Sequence, residues 1–191
     1  MFAGRVREKM KEYGCRVTVA VAPKSSNRQR GILVEGVDYA LLGQNADAVF
    51  LMTYEWGYTY GPPMAVAPLD KVREVVEYAV TQIQPGQLIL GIPNYGYDWT
   101  LPYERGITRA RSIGNAEAVE TASENGASIE YARISQSPWF TYRKNGMEHI
   151  VWFEDVRSIT AKWELIREFG LSGARYWNLM RPFRANWLLV G

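Results

Sequence analysis

The chain has 191 residues and a formal net charge of +2, with acidic and basic residues interleaved along it. This balance does not indicate a nucleic-acid partner or a charged membrane surface. The single Cys15 excludes an internal disulfide, and the single His149 has no neighbouring Cys or second His, so we expect no metal site and place His149 on a strand surface. No apolar stretch approaches the ~20 residues that span a bilayer, and MFAGRVREKM lacks the apolar core of a signal peptide.

The first part of the chain alternates helix-like and strand-like runs. Helices are predicted at residues 2–13, 34–42 (ending at Gly43) and 69–83, and strands at 16–22, 48–53 and 88–93. The third helix has apolar residues at i, i+3 and i+4 spacing, and Asp70 lies in its first turn. Apolar strands separated by helices indicate a parallel sheet that is covered on both faces.

The pattern changes between residues 97 and 155. A helix is predicted at 115–124, and antiparallel strands at 129–134, 139–143 and 148–153, with Lys144-Asn145-Gly146 as a hairpin turn. This mixture indicates a small α+β subdomain inserted between a strand of the parallel sheet and its helix. Residues 156–169 then predict an amphipathic helix stopped by Gly170, and residues 174–180 predict the final strand.

Three of the predicted strands end in aromatic and polar residues. They are the runs VFLMTYEW (49–56), LILGIPNYGYDW (88–99) and ARYWNLM (174–180). Aromatics make up 13% of the chain, with seven Trp and twelve Tyr, which fits either a Trp-rich core or flat surfaces for a ligand. Parallel strands with such groups at their carboxyl ends are typical of a sugar-binding α/β barrel.

The runs LMTYEWGYTYGPPMAVAP, LILGIPNYGYDW, VWFEDVRSI and GARYWNLM resemble the second half of family-18 glycoside hydrolases. The most similar branch is the bacterial spore-cortex and spore-germination type, which cuts peptidoglycan at N-acetylglucosamine. The resemblance implies an α/β fold, a partial (β/α)8 TIM barrel of strands five to eight with a small α+β insertion subdomain. Residues 1–96 would hold strands five to seven, 97–155 the insertion, and 156–191 the last helix and strand eight.

The same resemblance implies a chemistry. Family-18 enzymes hydrolyse β-1,4-linked N-acetylglucosamine glycans, peptidoglycan or chitin, by a substrate-assisted route that departs from the two-carboxylate scheme. A Glu protonates the leaving oxygen while the acetamido oxygen of the substrate attacks the anomeric carbon, and no cofactor is needed. The Glu belongs to a D-x-x-D-x-D-x-E motif that this sequence lacks, so we expect the chain to be inactive alone.

The residues that match the family motifs form the supporting part of the site. Met52-Thr53-Tyr54-Glu55 matches the sixth-strand motif M-x-Y-D. Tyr54 would donate to the acetamido carbonyl, Glu55 would accept from a sugar hydroxyl in place of the usual Asp, and Trp177 would stack under the reacting sugar. The predicted substrate-binding set is Met52, Asn94, Tyr95, Trp177, Trp56 and Trp99.

Other interpretations of these residues stay open. Trp177 also fits a barrel core, and Asn94 and Tyr95 also fit a turn. Trp56 and Trp99 also fit loop packing. Glu154, in the run EDVR, is interpreted as a cap of the following helix.

The partial barrel has a consequence for partners. Strands five and eight would be unpaired edges beside an exposed apolar face, so we expect a homo-dimer, or a complex with a chain that supplies the missing N-terminal half. The expected ligand is a glycan with N-acetylglucosamine units. A non-catalytic binding module for that glycan and a purely structural fragment are the alternative functions. Intact relatives are expected at the spore or cell envelope.

Overall fold

The computed structural model describes residues 2–189, which fold as two compact units. Each unit is built from several separate segments of the chain. The first unit comprises the residues up to Thr53, Val72–Gly91 and Trp163–Arg175. The second comprises Tyr54–Lys71, Ile92–Lys162 and the residues from Tyr176 onward.

A four-stranded sheet runs through the first unit. Its strands are β1 (Thr18–Val21), β2 (Ala48–Leu51), β3 (Leu88–Pro93) and β9 (Gly173–Trp177), in the order β1-β2-β3-β9. β1 pairs with β2 and β2 pairs with β3 in parallel, with Val21 opposite Leu51 and Leu51 opposite Leu90. Leu51 and Leu90 are completely buried. The predicted parallel arrangement of the first three strands is therefore confirmed, and β9 ends at Trp177 rather than at residue 180.

For several helices of the first unit, the apolar periodicity of the sequence was sufficient to predict their positions. The helices of this unit are α1 (Phe2–Lys11), α2 (Tyr39–Asn45), most of α3 (Leu69–Val80) and the second part of α5 (Val156–Phe169). The stripe predicted for α3 is buried at Val72, Val75, Val76 and Ala79. α5 has the predicted bounds, and Gly170 follows it with φ of 65°.

The helix predicted at residues 34–42 is wrong in its position. Residues 32–36 form turns. α2 starts after Asp38, whose carboxylate accepts from the Leu41 N–H at 2.9 Å. This is the ordinary role of an Asp N-cap. Gly43 lies inside α2 instead of ending it. A Cβ there would lie 3.0 Å from a side-chain carbon of Ile83, so glycine permits the close packing of the helix.

The two outer strands of this sheet approach each other through a side chain. The Arg175 guanidinium, on β9, donates to Thr18 Oγ1 on β1 at 3.3 Å and lies 6.0 Å from the centroid of the Phe50 ring on β2. Because β9 and β1 are at opposite ends of the strand order, this contact requires a strongly curled sheet.

A five-stranded antiparallel sheet lies in the second unit. Its strands are β4 (Gly96–Leu101), β5 (Arg111–Ile113), β6 (Glu130–Ala132), β7 (Ser137–Lys144) and β8 (Met147–Trp152), in the order β5-β4-β8-β7-β6. β7 and β8 form the predicted hairpin, with φ of 52° at Asn145 and 78° at Gly146. The helices are α4 (Asn115–Glu124), with the predicted bounds, and α6 (Arg184–Trp187). β4 and β5 were not predicted from the sequence.

β4 was missed because its two faces contact different parts of the second unit, and the buried residues on these faces are not all apolar. Tyr97 and Trp99 point to an aromatic cluster, whereas Asp98 between them points to the face that α4 covers. The buried Asp98 carboxylate accepts from the Tyr142 hydroxyl at 2.8 Å, is 3.0 Å from His149 Nδ1, and is 3.4 Å from Arg111. His149 was predicted on a surface, but its side chain is only 16% exposed because it pairs with this buried carboxylate.

The start of α5 corrects the interpretation of Glu154. Asp155, not Glu154, caps the helix, since its carboxylate accepts from the Ser158 N–H at 3.0 Å. Glu154 is completely buried instead, where its carboxylate accepts from Lys162 Nζ at 2.8 Å and from the Ser158 hydroxyl at 2.6 Å. Burial raises the pKa of Glu154, and Lys162 opposes that rise.

No helix within residues 2–189 combines the length and the apolar composition that a membrane span requires.

Candidate functional site

Three side chains of the second unit, those of Glu55, Tyr95 and Tyr97, form a hydrogen-bonded cluster. The carboxylate accepts from the Tyr95 hydroxyl and from the Tyr97 hydroxyl, the latter at 3.1 Å to Oε1 and 3.2 Å to Oε2. Tyr95 and Tyr97 are buried, whereas Glu55 is exposed. The two phenols therefore hold one side of a carboxylate whose residue is open to solvent.

The backbone at Glu55 supports this placement. Glu55 follows the end of β2 and has φ of 69°, a conformation that non-glycine residues adopt only rarely. Such conformations persist where the surrounding structure over-determines them and are frequent at ligand sites. The two tyrosine hydroxyls are the contacts that retain the Glu55 side chain in this position.

The tyrosines around Glu55 are held in the neutral form. Burial, and next the negative charge of Glu55, raise the pKa of Tyr97 to about 12. Burial and the hydrogen bond to Glu55 raise the pKa of Tyr95 further, and burial followed by Glu55 raises that of the half-buried Tyr54. All three phenols are therefore hydroxyl donors at neutral pH.

Tyr54 packs against the aromatic cluster of the second unit. The buried members of that cluster are Val66, Tyr95, Tyr97, Trp99 and Ala110. The Tyr95 and Tyr97 rings meet edge to face at 5.7 Å between centroids, and Tyr97 and Trp99 are also 5.7 Å apart. A network of rings in contact gives the Tyr54 phenol and the Glu55 carboxylate a rigid support.

Trp177 has an exposed indole at the end of β9. The residue is 55% exposed, whereas its backbone is fixed, because its carbonyl accepts from the Asn94 N–H at 2.7 Å. A large aromatic residue with a fixed backbone and an open face is suited to stacking on an apolar ligand surface. We call this exposed indole face the Trp177 platform.

Asn94 is placed differently from the expectation of a ligand contact. It is completely buried, and its amide donates to the carbonyls of Asn178 at 3.3 Å and Arg181 at 2.7 Å. These bonds tie Asn94 to the segment after β9, so the structure gives it a role in holding that segment.

The remaining predicted residues are more peripheral. Trp99 is completely buried and donates from Nε1 to the Gly61 carbonyl at 2.8 Å, which anchors the loop after Glu55. Trp56 is half-buried, and its backbone N–H donates to Val66 at 3.1 Å. Met52 is half-buried in the first unit, where its backbone N–H donates to Val21 at 3.0 Å.

Tyr97 is the functional candidate that the sequence analysis did not select. Its signal was present, because Tyr95, Tyr97 and Trp99 alternate with a period of two and so belong on one face of a strand. That signal depends on recognising β4 as a strand. Among the described residues, no group of three or more His, Cys, Asp or Glu side chains is arranged to hold a metal ion.

Comparison with known proteins gives a consistent assignment. The family model described as Glycosyl hydrolases family 18 matches residues 1–181. The chain is 45% identical over 190 residues to the cortical fragment-lytic enzyme of Bacillus subtilis (strain 168), which covers 99% of this chain and 44% of the relative. It is 36% identical to the putative sporulation-specific glycosylase YdhD of the same organism, over 98% of this chain and 44% of the relative.

Solved structures agree with the sequence matches. The spore cortex-lytic enzyme SleL of Bacillus cereus superposes with a TM-score of 0.95 at 39% identity, over 99% of this chain and 44% of that one. A chitinase of Chromobacterium violaceum superposes with a TM-score of 0.90 at 27% identity, over 99% of this chain and 58% of that one. This chain thus spans less than half the length of the curated relatives named above.

Proposed function

The chain belongs to family 18 of the glycosyl hydrolases, and from that premise we propose that it provides the substrate-orienting half of a glycosidase site for β-1,4-linked N-acetylglucosamine glycans. The observation that supports this most is the Glu55 carboxylate, held by two tyrosine hydroxyls in the unit that also presents the Trp177 platform. A fixed acceptor and an exposed indole are the groups that a sugar ring with several hydroxyls requires.

In this proposal the catalytic route is substrate-assisted hydrolysis. A general acid protonates the leaving glycosidic oxygen as its bond to the anomeric carbon breaks, and the acetamido oxygen of the same sugar forms the new bond to that carbon. Water then attacks the anomeric carbon of the resulting oxazolinium ion and gives a proton to the deprotonated acid, while the bond from that carbon to the acetamido oxygen breaks and the acetamido group is regenerated. The Tyr54 phenol, held neutral, donates to the acetamido carbonyl and orients it for attack.

Glu55 and Trp177 fix the sugar during that step. Glu55 accepts from a sugar hydroxyl with the lone pairs of its carboxylate oxygens that Tyr95 and Tyr97 do not use. Trp177 stacks against the C–H face of the ring. Trp56 and Trp99 border or support the binding site, and Asn94 holds its frame, so none of these three has a role in proton transfer.

The general acid comes from residues outside this chain, because the D-x-x-D-x-D-x-E motif is absent from its sequence. We propose that β1, β2, β3 and β9 correspond to strands five to eight of a (β/α)8 barrel. In that arrangement residues 97–155 are the insertion between strand seven and its helix. The missing barrel strands would bring the acid next to Tyr54.

The named relatives favour one glycan class. Two of them are described as cortex-lytic or cortical fragment-lytic enzymes and one as a sporulation-specific glycosylase, which favours spore cortex peptidoglycan over chitin as the substrate. The corresponding place of action for the intact protein is the spore or cell envelope.

A titration tests the binding half of this proposal. N-acetylglucosamine oligomers are titrated into the wild-type chain and into Trp177→Ala, with isothermal calorimetry or tryptophan emission as the signal. We expect the loss of the indole to weaken binding by about tenfold or more. Leu179→Ala is the matched control, since Leu179 is 70% exposed in the same segment but has no aromatic face. Equal affinity of wild type and Trp177→Ala would contradict the role of the platform.

A non-catalytic glycan-binding module is the second candidate. It is favoured by one observation, that the binding groups are present in a sequence without the acid motif. The two candidates differ after addition of a separate chain that carries the first barrel half with its Asp-rich motif. Release of reducing ends from cortex glycan by the mixture supports the glycosidase, whereas binding without release supports the module.

A further inference from the structure

The buried Asn94 binds the segment that follows the Trp177 platform through both its side chain and its backbone. Asn94 donates its N–H to the Trp177 carbonyl at 2.7 Å and its amide to the carbonyls of Asn178 at 3.3 Å and Arg181 at 2.7 Å. These three bonds fix both ends of the segment 177–181. The orientation of the Asn94 amide therefore decides where the platform segment lies.

A second buried asparagine determines that orientation. Asn115, the first residue of α4, is 1% exposed, and its Nδ2 donates to Asn94 Oδ1 at 3.3 Å. Its own Oδ1 accepts from the Glu154 N–H at 3.0 Å. An amide has distinct donor and acceptor ends, so an Asn115 whose acceptor end is occupied by Glu154 can offer only its donor end to Asn94.

This series of hydrogen bonds ends at Glu154, whose position is fixed by its own contacts. The Glu154 side chain is completely buried and bonded to Lys162 and Ser158, which fixes the backbone N–H that Asn115 accepts. Arg181 provides a second attachment, since its guanidinium donates to the Ser112 carbonyl on β5 at 3.4 Å. The segment 177–181 is thereby connected to the start of α4 and to β5, all within the second unit.

We propose that Asn115 is a positioning residue, which sets the platform segment 177–181 by orienting the Asn94 amide. This inference rests on the proposed function for the statement that the platform binds a glycan, but not for the structural link. Asn115 acts through Asn94, to which it is hydrogen-bonded. Loss of its Nδ2 donor leaves the buried Asn94 Oδ1 without its partner and frees the amide to turn.

The variant Asn115→Asp isolates the link. It retains an oxygen for the Glu154 N–H and an acceptable residue for the first turn of α4, but places a carboxylate oxygen against Asn94 Oδ1. Asn115→Ala removes both bonds and serves as the more severe change. Asn125→Ala is the matched control, because Asn125 lies at the other end of α4, is exposed, and also loses one side-chain bond, its donation to the Thr121 carbonyl at 2.8 Å.

Amide hydrogen exchange reads the segment directly, without a ligand. The Asn94 N–H donates to Trp177 and the Met180 N–H donates to Asn178 Oδ1 at 3.1 Å, so both report on the segment. We expect both to exchange about tenfold faster or more in Asn115→Asp, while amides of α3 keep the wild-type rate. The affinity for N-acetylglucosamine oligomers is measured on the same variants, and we expect it to fall with Asn115→Asp and to stay unchanged with Asn125→Ala.

The outcomes separate the two proposals. Wild-type exchange at Asn94 and Met180 in Asn115→Asp would overturn the positioning role, whatever the affinity. Faster exchange throughout the chain, α3 included, would also overturn it, since Asn115 would then act on global stability alone. If the wild-type chain binds no oligomer, the proposed function fails, while local exchange restricted to the segment still supports the link.

Discussion

The Tyr97 hydroxyl donates to both carboxylate oxygens of Glu55, at 3.1 Å and 3.2 Å. This bifurcated hydrogen bond orients the plane of the carboxylate, and the Tyr95 hydroxyl donates to one of the two oxygens as well. Hydrogen bonds to a charged acceptor are stronger than those between neutral groups. The position of Glu55 is therefore determined by contacts within the protein.

Removal of the Tyr97 hydroxyl should weaken glycan binding. In Tyr97→Phe the Glu55 carboxylate loses one of its two phenol donors, so its acceptor position for the sugar is less defined, and we expect affinity for N-acetylglucosamine oligomers to fall about threefold to tenfold. Calorimetric titration measures the change. Tyr103→Phe is the control, since it deletes a tyrosine hydroxyl that donates to the Tyr60 carbonyl at 3.2 Å instead of to Glu55. A loss as large in Tyr103→Phe would contradict a specific role of Tyr97.

The same contact predicts how stability depends on alkaline pH. The pKa of Tyr97 is about 12 in the folded protein, and that of an unfolded tyrosine is about 10. Between these values the folded state keeps a proton that the unfolded state loses. The free energy of unfolding therefore decreases as pH rises through this window, and the contribution of Tyr97 to stability is complete only below it. Urea unfolding at about pH 9 and about pH 11 should show a smaller decrease for Tyr97→Phe than for wild type. An identical decrease in both proteins would show that Tyr97 does not contribute to it.

Much of the fold could be predicted from the sequence where a single periodicity dominates. α4 and α5 have the expected bounds because each has an apolar stripe and a Gly or Asn-Gly stop signal. α2 was misplaced because two capping signals compete, Asp38 before it and Gly43 within it, and the contact of Gly43 with Ile83 is visible only in three dimensions.

The candidate site was predictable only in part, for a related reason. The Tyr54-Glu55 pair and Trp177 were selected from the sequence because they lie in contiguous motifs. The contacts of Tyr97 and Asn115 could not be predicted, because their partners, Glu55 and Asn94, are 42 and 21 residues away in the chain. Hydrogen bonds between such distant residues depend on strand register, which local pattern leaves undetermined.

Disruption of the buried Lys162–Glu154 pair should be strongly destabilising. Both side chains are completely buried, with Nζ 2.8 Å from Oε2, so Lys162→Met leaves a buried carboxylate without its cation. We expect the free energy of unfolding to fall by about 3–5 kcal/mol, measured by urea unfolding. The double variant Glu154→Leu/Lys162→Met should recover part of this loss, since it removes the unpaired charge.

An exposed ion pair provides the comparison. Arg73 donates to both Glu168 oxygens at 2.6 Å and 2.7 Å, but the side chains are 39% and 51% exposed. Because water screens this pair, Glu168→Gln should lower the free energy of unfolding far less than Lys162→Met does. Losses of similar size for Lys162→Met and Glu168→Gln would contradict the burial argument.

Gly96 should tolerate no side chain. A Cβ at this position would overlap the Trp152 carbonyl oxygen and lie 2.6 Å from the Phe153 Cβ, because β4 and β8 pair closely there. We expect Gly96→Ala to lower the free energy of unfolding by about 1–3 kcal/mol or more, as overpacking does. Gly86→Ala is the matched control, since nothing lies within 4 Å of a Cβ there. Thermal unfolding of both variants measures the difference, and equal midpoints would contradict the packing argument.

The outer strands of the first unit lead to a prediction about association. Within residues 2–189, β1 and β9 each have one hydrogen-bonded neighbour in the sheet, and the Arg175–Thr18 contact joins them only through side chains. Unpaired strand edges favour pairing with another chain, so we expect the purified chain to form a stable dimer in light scattering across a concentration series.

A substitution on an edge tests whether β1 is the surface involved. Ala20 is an exposed residue of β1, so Ala20→Lys places a charge on this edge and should shift the chain toward monomer. Gln84→Lys, at an exposed position outside every strand, adds the same charge and should leave the dimer unchanged. A wild-type chain that remains a monomer at all concentrations would refute the association. A dimer that Ala20→Lys does not weaken would place the contact away from β1, because a buried lysine at a paired edge would oppose its formation.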